Sequence, residues 1–243
     1  MLHKLTKNKL LVCLLASLVS FFLFSGLLLG GVFRTWQLAS SDALYSGGIP
    51  SPEIVIIAID DKSLQELGRW PWDRALFAQA LERLAEAKVV GIDVSFFEPS
   101  DDDQALQAAL SERVVLPVEY TSFSSREGKP YGEALLKPVF TGTGLGAVNL
   151  FTDPDGITRS FTSPIEGVES HKVFALVVAE KYLNREIGLP GERVLVNFYG
   201  GPGSFQTHSF ADLAADRLDA SFKNKIVLIG ATSPDLHDEA YTP

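Results

Sequence analysis

The stretch "EIVIIAID", residues 53–60, decides how the chain is read. Between Glu53 and Asp60 lie six apolar residues, five of them β-branched, with no polar alternation. Such a short, continuous run describes a strand buried on both faces, as in a parallel sheet. A second run of this kind, "VVGIDVSFF", occupies residues 89–97. Between them "RALFAQALERLAEA", residues 74–87, places Leu76, Phe77, Ala80, Leu81 and Leu84 on one apolar stripe, with Asp73 positioned as its N-cap. Ser63 and Glu66 fit a capping box for a shorter helical turn before it. Strand, helix and strand in this order form a βαβ unit with parallel strands and a right-handed crossover. The carboxyl ends of both strands then open on one edge.

The pattern continues outward. Residues 101–110 predict a helix, 113–120 a strand, 121–132 a loop and 146–150 a strand. The turn "DPDG", 153–156, leads into "ITRSFTSPI". A helix over 171–184, a strand over 193–200, a short helix near 209–215 and a strand over 225–231 complete the chain. The alternation predicts the α/β class: a three-layer domain with a largely parallel sheet, preceded by one N-terminal transmembrane helix.

That helix is expected over residues 10–33, an uncharged run of 24 residues that would span roughly 36 Å, enough to cross a bilayer. Lys4, Lys7 and Lys9 precede it and Arg34 follows, so the positive-inside bias puts the N-terminus in the cytoplasm and the remainder outside. A cleaved signal peptide is the competing reading, but the run is long for a signal core and "QLAS" before Ser41 is a poor cleavage site. The expected organisation is a cytoplasmic N-terminus over 1–9, a signal-anchor helix over 10–33, an irregular linker over 34–52 and an extracytoplasmic domain over 53–243.

The part beyond the helix carries all 30 acidic residues against 18 of the 21 basic ones, a net charge of −12. Nucleic acid and anionic lipid are therefore not expected partners. The single cysteine, Cys13, lies in the apolar run, which leaves the domain without a disulfide framework or a thiolate metal cluster. His3, His171, His208 and His237 show no ligand-like spacing, and there is no P-loop, no G-x-S-x-G elbow and no H-E-x-x-H pair. No cofactor is expected. The run "GTGLG", residues 142–146, lacks the spacing of a dinucleotide fingerprint.

The βαβ geometry brings Asp60 and Asp61 toward Asp93 and Glu98, with Arg69 and Arg74 in the connection. Ligands of open α/β sheets bind along that edge. The carboxylates suit a hard cation or a cationic ligand, and Trp70 and Trp72, in "GRWPWDR", could wall the site. Equally, Asp60 can cap the next turn, Asp93 can pair with an arginine, and the tryptophans can seal the helix start. An alternative chemistry is a metal-dependent phosphohydrolase that uses Asp60, Asp61 and Asp93. Arg159, beside the "DPDG" turn, hints at anion contact.

The ordered segments "IVIIAIDDKSLQELGRWPWDR", "VVGIDVSFFEPSDDD", "GAVNLFTDPDGITRSF", "VNFYGGPGSF" and "KIVLIGATSPDLHDEAYTP" resemble a CHASE domain of the second type, an extracellular sensory domain of bacterial transmembrane receptors. The resemblance runs from about residue 34 to residue 243. It implies a non-enzymatic sensor in the inner membrane of a bacterial cell, coupled to a cytoplasmic adenylate or guanylate cyclase, histidine kinase or serine/threonine kinase. Such proteins continue past "AYTP", residues 240–243, so the output module is expected on a part that this chain does not include. The resemblance carries over Asp60, Asp61, Trp70, Pro71, Trp72, Arg74, Asp93, Phe97, Glu98, Pro99, Asp155, Gly156, Arg159, Tyr199, Gly200, the "GAT" of 230–232 and Asp238 as motif positions. From these, Asp60, Asp61, Trp70, Trp72, Arg74, Asp93, Phe97, Glu98, Arg159 and Tyr199 are the candidate ligand-binding residues, with no metal ligand set assigned. The expected partners are an unidentified small molecule or ion, the membrane, and a second copy in a homodimer.

Overall fold

The computed structural model describes residues 2–43, 45, 47–127, 129–236 and 240–243, with side chains from residue 9 onward except that of Thr35. Two compact units emerge, Met1–Ser46 and Gly47–Pro243.

The first unit holds α1 (Leu2–Leu29) and α2 (Arg34–Asp42). Within α1, Lys9–Leu29 is long and apolar enough to cross a membrane, with a mean hydropathy of 2.5. The apolar run extends to residue 33, but the helix stops at Leu29. Val32 N donates to Leu27 O and Gly31 N to Leu28 O, with Gly31 at φ 74°, the paired bonds of a Schellman stop. Residues 34–42, expected to be irregular, are helical.

The second unit contains β1 (Ile54–Ile59), α3 (Asp61–Leu67), α4 (Arg74–Arg83), β2 (Val89–Asp93), α5 (Asp103–Ala109), β3 (Val114–Arg126), β4 (Lys129–Leu136), β5 (Gly144–Ala147), β6 (Ser160–Thr162), α6 (Phe174–Leu183), β7 (Arg193–Leu195), β8 (Gln206–Ser209), α7 (Phe210–Ala214) and β9 (Ile226–Ala231). Seven strands form one sheet in the order β4-β3-β2-β9-β1-β8, with β5 also on β3. Every pairing is parallel except β3 with β4. The strands β1 and β2 are parallel as expected, yet they are not neighbours: β9, last in the chain, pairs with both.

Strand alternation splits the core between the two faces. Val55, Ile57, Ile59, Val90, Ile92, Val227 and Ile229 pack with Phe77, Leu81, Leu106 and Phe210 from α4, α5 and α7. Val89, Val115 and Ile226 pack with Phe174, Val177 and Val178 of α6 on the opposite face. The "GTGLG" run belongs to this packing, since a Cβ on Gly146 would lie 2.4 Å from Cα of Phe174. Gly144 and Gly146 admit α6 against β5 rather than a phosphate.

Of residues 121–132, expected as a loop, 121–126 instead extend β3 and 129–132 pair with it as the start of β4. The polar "TSFSSR" offers no continuous apolar run there, and backbone pairing outweighs its weak side-chain signal. At the irregularity near Tyr120, the amide of Asn149 stands in for a neighbouring strand. Tyr120 N donates to Asn149 Oδ1 at 2.8 Å, and Asn149 Nδ2 donates to Tyr120 O at 2.9 Å. Asn149→Ala should orphan both groups of the buried Tyr120 backbone at a cost of about 1–3 kcal/mol. A lower urea midpoint with an unchanged m-value checks this; an unshifted midpoint rejects it.

Of the strand expected over 193–200, only Arg193–Leu195 pairs, and it does so with β6 in a separate two-stranded sheet. The edge strand β8, "QTHS", escapes a hydrophobicity reading because it is largely polar.

Candidate functional site

The carboxyl ends of β1, β9 and β2 form the edge where the sequence places a ligand. At the end of β1, Asp60 is the N-cap of α3 and accepts from Ser63 N at 2.8 Å. Its Oδ1 also accepts from Ser63 Oγ at 2.6 Å and from Ser209 Oγ at 2.8 Å. Ser63, expected as the cap itself, lies three residues inside the helix, fully buried, and its hydroxyl accepts from Ala211 N at 3.0 Å. One carboxylate thus ties together β1, α3, β8 and α7. Desolvation pushes the Asp60 pKa upward, but the hydrogen bonds from Ser63 and Ser209 outweigh it and hold the group below its ordinary value of 3.8.

A depressed folded-state pKa means that Asp60 contributes stability fully above the unfolded value and loses it as pH falls through the lower folded value. Asp60→Ala should cost about 1–2 kcal/mol at neutral pH, the range for a lost helix cap. The gap between wild type and variant should close as pH drops below about 3.9. Thermal unfolding of both proteins across that range checks the sign, and a gap that persists at low pH would remove the carboxylate from the argument.

The connection "GRWPWDR" packs inward. Trp72 is buried, its Nε1 donating to Gly68 O at 2.9 Å, and its ring lies 5.1 Å from that of Trp70 and 5.2 Å from that of Phe210. Trp70 is half-buried and also meets Phe77 at 6.2 Å. Asp73 occupies the N-cap position of α4 without a side-chain cap bond. Arg74, also buried, pairs with Asp103, donates to Glu98 O, and stacks 5.4 Å from each of Phe96 and Phe140. Its guanidinium fastens the 94–103 loop to α4 and is consumed by that work.

Asp61, Asp93 and Glu98 are exposed on the edge, with Phe97 half-buried. Asp61 accepts from Ser233 Oγ at 2.5 Å, which binds the α3 start to the loop after β9. Asp93 stands level with Gly230 of β9, which stands level with Ala58 of β1. Two interstrand steps, about 10 Å, therefore separate the backbones of β1 and β2, while Asp60 turns toward β8. Among the described residues no group of three or more His, Cys, Asp or Glu side chains is arranged to hold a metal ion. Asp60, Asp61 and Asp93 do not form one metal-holding set, and the phosphohydrolase reading loses its geometric basis.

Two candidates lie elsewhere. Tyr199 sits in the loop that leads into the amino end of β8, with its carbonyl accepting from Gly48 N at 3.3 Å and its ring filling the space over Gly48. It is at the opposite edge of the sheet. Arg159 is 3% exposed and donates to Asp153 Oδ2 at 3.0 Å and, through both Nη atoms, to Asp155 at 2.9 and 2.8 Å. Arg193 Nη2 donates to the other oxygen of Asp153 at 2.7 Å. The hydrogen bond from Arg159 holds the Asp155 carboxyl below its ordinary range. The "DPDG" turn closes through Gly156 N to Asp153 O, with Gly156 at φ 83°, so it delivers carboxylates to an internal arginine rather than an arginine to an anion. Asp238 and His237 lie outside the described residues.

Sequence reasoning passed over Ser209 and Ser233 and took Ser63 for the cap rather than its donor, although all three knit the edge together. The Asp60-x-x-Ser63 spacing was the available signal, because a cap aspartate accepts from the third helical residue.

The model of the CHASE2 domain family matches residues 16–243. Comparison with curated proteins and with solved structures returns no match. Since the matched span takes in most of the apolar helix, the parallel sheet and the capped edge built around Asp60, the chain belongs to the CHASE2 family of extracellular sensory domains.

Proposed function

We propose that this chain is the ligand-input part of a bacterial transmembrane receptor. Its N-terminus is cytoplasmic, α1 crosses the inner membrane, the α/β unit is extracytoplasmic, and a cyclase or kinase output lies on another part of the receptor. The observation that carries the proposal is the family match over residues 16–243, which joins an apolar helix to a sensory fold in one chain. The receptor acts as a homodimer, and a small molecule or ion that favours one of two states shifts their balance by its differential affinity.

The ligand surface in this proposal is the exposed part of the carboxyl edge, Asp61, Asp93 and Glu98, with the half-buried Trp70 and Phe97 beside it. Asp60, Trp72, Arg74 and Arg159 support the fold instead, and Tyr199 is too far around the sheet to share the site. The full chain in lipid nanodiscs, screened by thermal shift against small molecules and ions, tests this. A ligand at a hundredfold excess over its Kd should stabilise the domain by about 2.7 kcal/mol, or roughly 5–10 °C. Asp93→Ala and Glu98→Ala should reduce that shift. A ligand that stabilises both variants as well as wild type would move the site away from this edge.

A further inference from the structure

The short helix α2 presents an apolar stripe that no described residue covers. Trp36, Ala39 and the C-cap Ala43 follow one another at spacings of three and four, which places them on one helical face, and Val32 lies in the turn just before the helix. All four are exposed, Val32 at 61% and Trp36 at 77%. Arg34, Gln37 and Ser41 fall on the opposite side, together with the half-buried Leu38.

What lies against the stripe follows from how α2 leaves α1. The candidate span Lys9–Leu29 measures about 31 Å at 1.5 Å per residue, close to the ~30 Å hydrocarbon thickness. Leu29 therefore ends at the hydrocarbon boundary. The Schellman stop at Gly31 turns the chain there, and the five steps from Leu29 to Arg34 reach at most about 18 Å. The chain bends sideways: the rings of Phe24 and Phe33 lie 5.4 Å apart, although nine residues of straight helix would separate them by about 13.5 Å. Trp36 is then held at the depth where tryptophan is enriched in membrane proteins, its apolar ring buried and its N–H among the headgroups.

We propose that α2 lies in the membrane interface, with Trp36, Ala39 and Ala43 facing the headgroup and upper acyl region of the outer leaflet. The occupant is lipid. The helix is an interfacial anchor continuous with α1 that fixes where the chain departs toward the sensory unit. This inference rests on α1 spanning the bilayer.

The test uses the full chain in phosphatidylcholine vesicles whose acyl chains are brominated either near the headgroup or near the methyl end. Shallow bromines should quench part of the tryptophan emission and deep bromines less, and the shallow quenching should vanish in Trp36→Phe. Trp70 and Trp72, packed in the sensory unit, supply the unquenched remainder. If the protein leaves the vesicles on alkaline extraction, the membrane-spanning reading of α1 has failed. If it stays and shallow bromines do not quench Trp36, the interfacial helix is overturned. Disulfide linking between copies of a Cys13→Ser, Trp36→Cys variant, without shallow quenching in the parent protein, would assign the stripe to a second copy of the chain and overturn it equally.

Discussion

Replacing Arg159 with alanine is expected to destabilise the sensory unit by about 3–5 kcal/mol, the cost of leaving a buried charge unpaired. The Arg159 side chain is 3% exposed and that of Asp153 is 6%. With Arg159 gone, the cationic partner of Asp153 among the described residues is Arg193, whose side chain is 57% exposed and strongly screened. In a domain of this size the loss corresponds to a thermal midpoint lower by roughly 6–20 °C. Arg193→Ala should cost far less, since exposed pairs contribute about 0–1 kcal/mol. Arg159→Lys should not restore the loss, because a single ammonium cannot reproduce the bidentate fork on Asp155 while also reaching Asp153. Thermal or urea unfolding of the three variants settles the ranking. A near-neutral Arg159→Ala that instead lost a ligand response would return Arg159 to the binding residues.

The contrast between Arg159 and Asp60 shows which parts of this molecule can be read from its chain. Buried parallel strands announce themselves, because both faces must be apolar: "IVIIAI", "VVGI" and "IVLIGA" were each legible and each is central in the sheet. Their spatial order was not. The strand that separates β1 from β2 arrives more than 130 residues after β2, and nothing local in "KIVLIGA" encodes that insertion. The β3–β4 hairpin and β8 were missed for the opposite reason, since their outer portions are half-solvated and polar and their pairing is carried by backbone groups that every residue possesses.

The same limit governs the candidate site. Residue type and position along the chain identified the carboxyl edge, and Asp61, Asp93 and Glu98 are exposed on it. Whether a polar residue faces outward or is spent on its neighbours depends on contacts distant in sequence. Ser209, 149 positions from Asp60, converts that aspartate into a hinge pin between four elements. Asp103, 29 positions from Arg74, does the same to the arginine. Motif residues in this domain therefore divide into those buried in building the edge and those exposed on it.

The tryptophan pair offers the sharpest separation of those roles. Trp72→Ala is expected to cost about 3–5 kcal/mol, the range for deleting a buried aromatic side chain. It would leave a void against Phe210 and Phe77 and remove the hydrogen bond to the Gly68 carbonyl. Trp70→Ala removes a half-buried ring at the margin of the same cluster, in edge-on contact with Trp72 and Phe77. Its cost should stay near 1–2 kcal/mol, because aromatic pairing adds about 0.5–1.5 kcal/mol to a modest loss of burial. Unfolding measurements on both variants should show this inequality whatever the ligand is. Under ligand the order reverses: if the carboxyl edge is the site, Trp70→Ala should weaken the thermal shift while folding well, and a correctly folded fraction of Trp72→Ala should bind nearly as wild type. Equal stability losses would mean that Trp70 is as deep in the cluster as Trp72, and an undiminished shift in Trp70→Ala would remove it from the ligand surface.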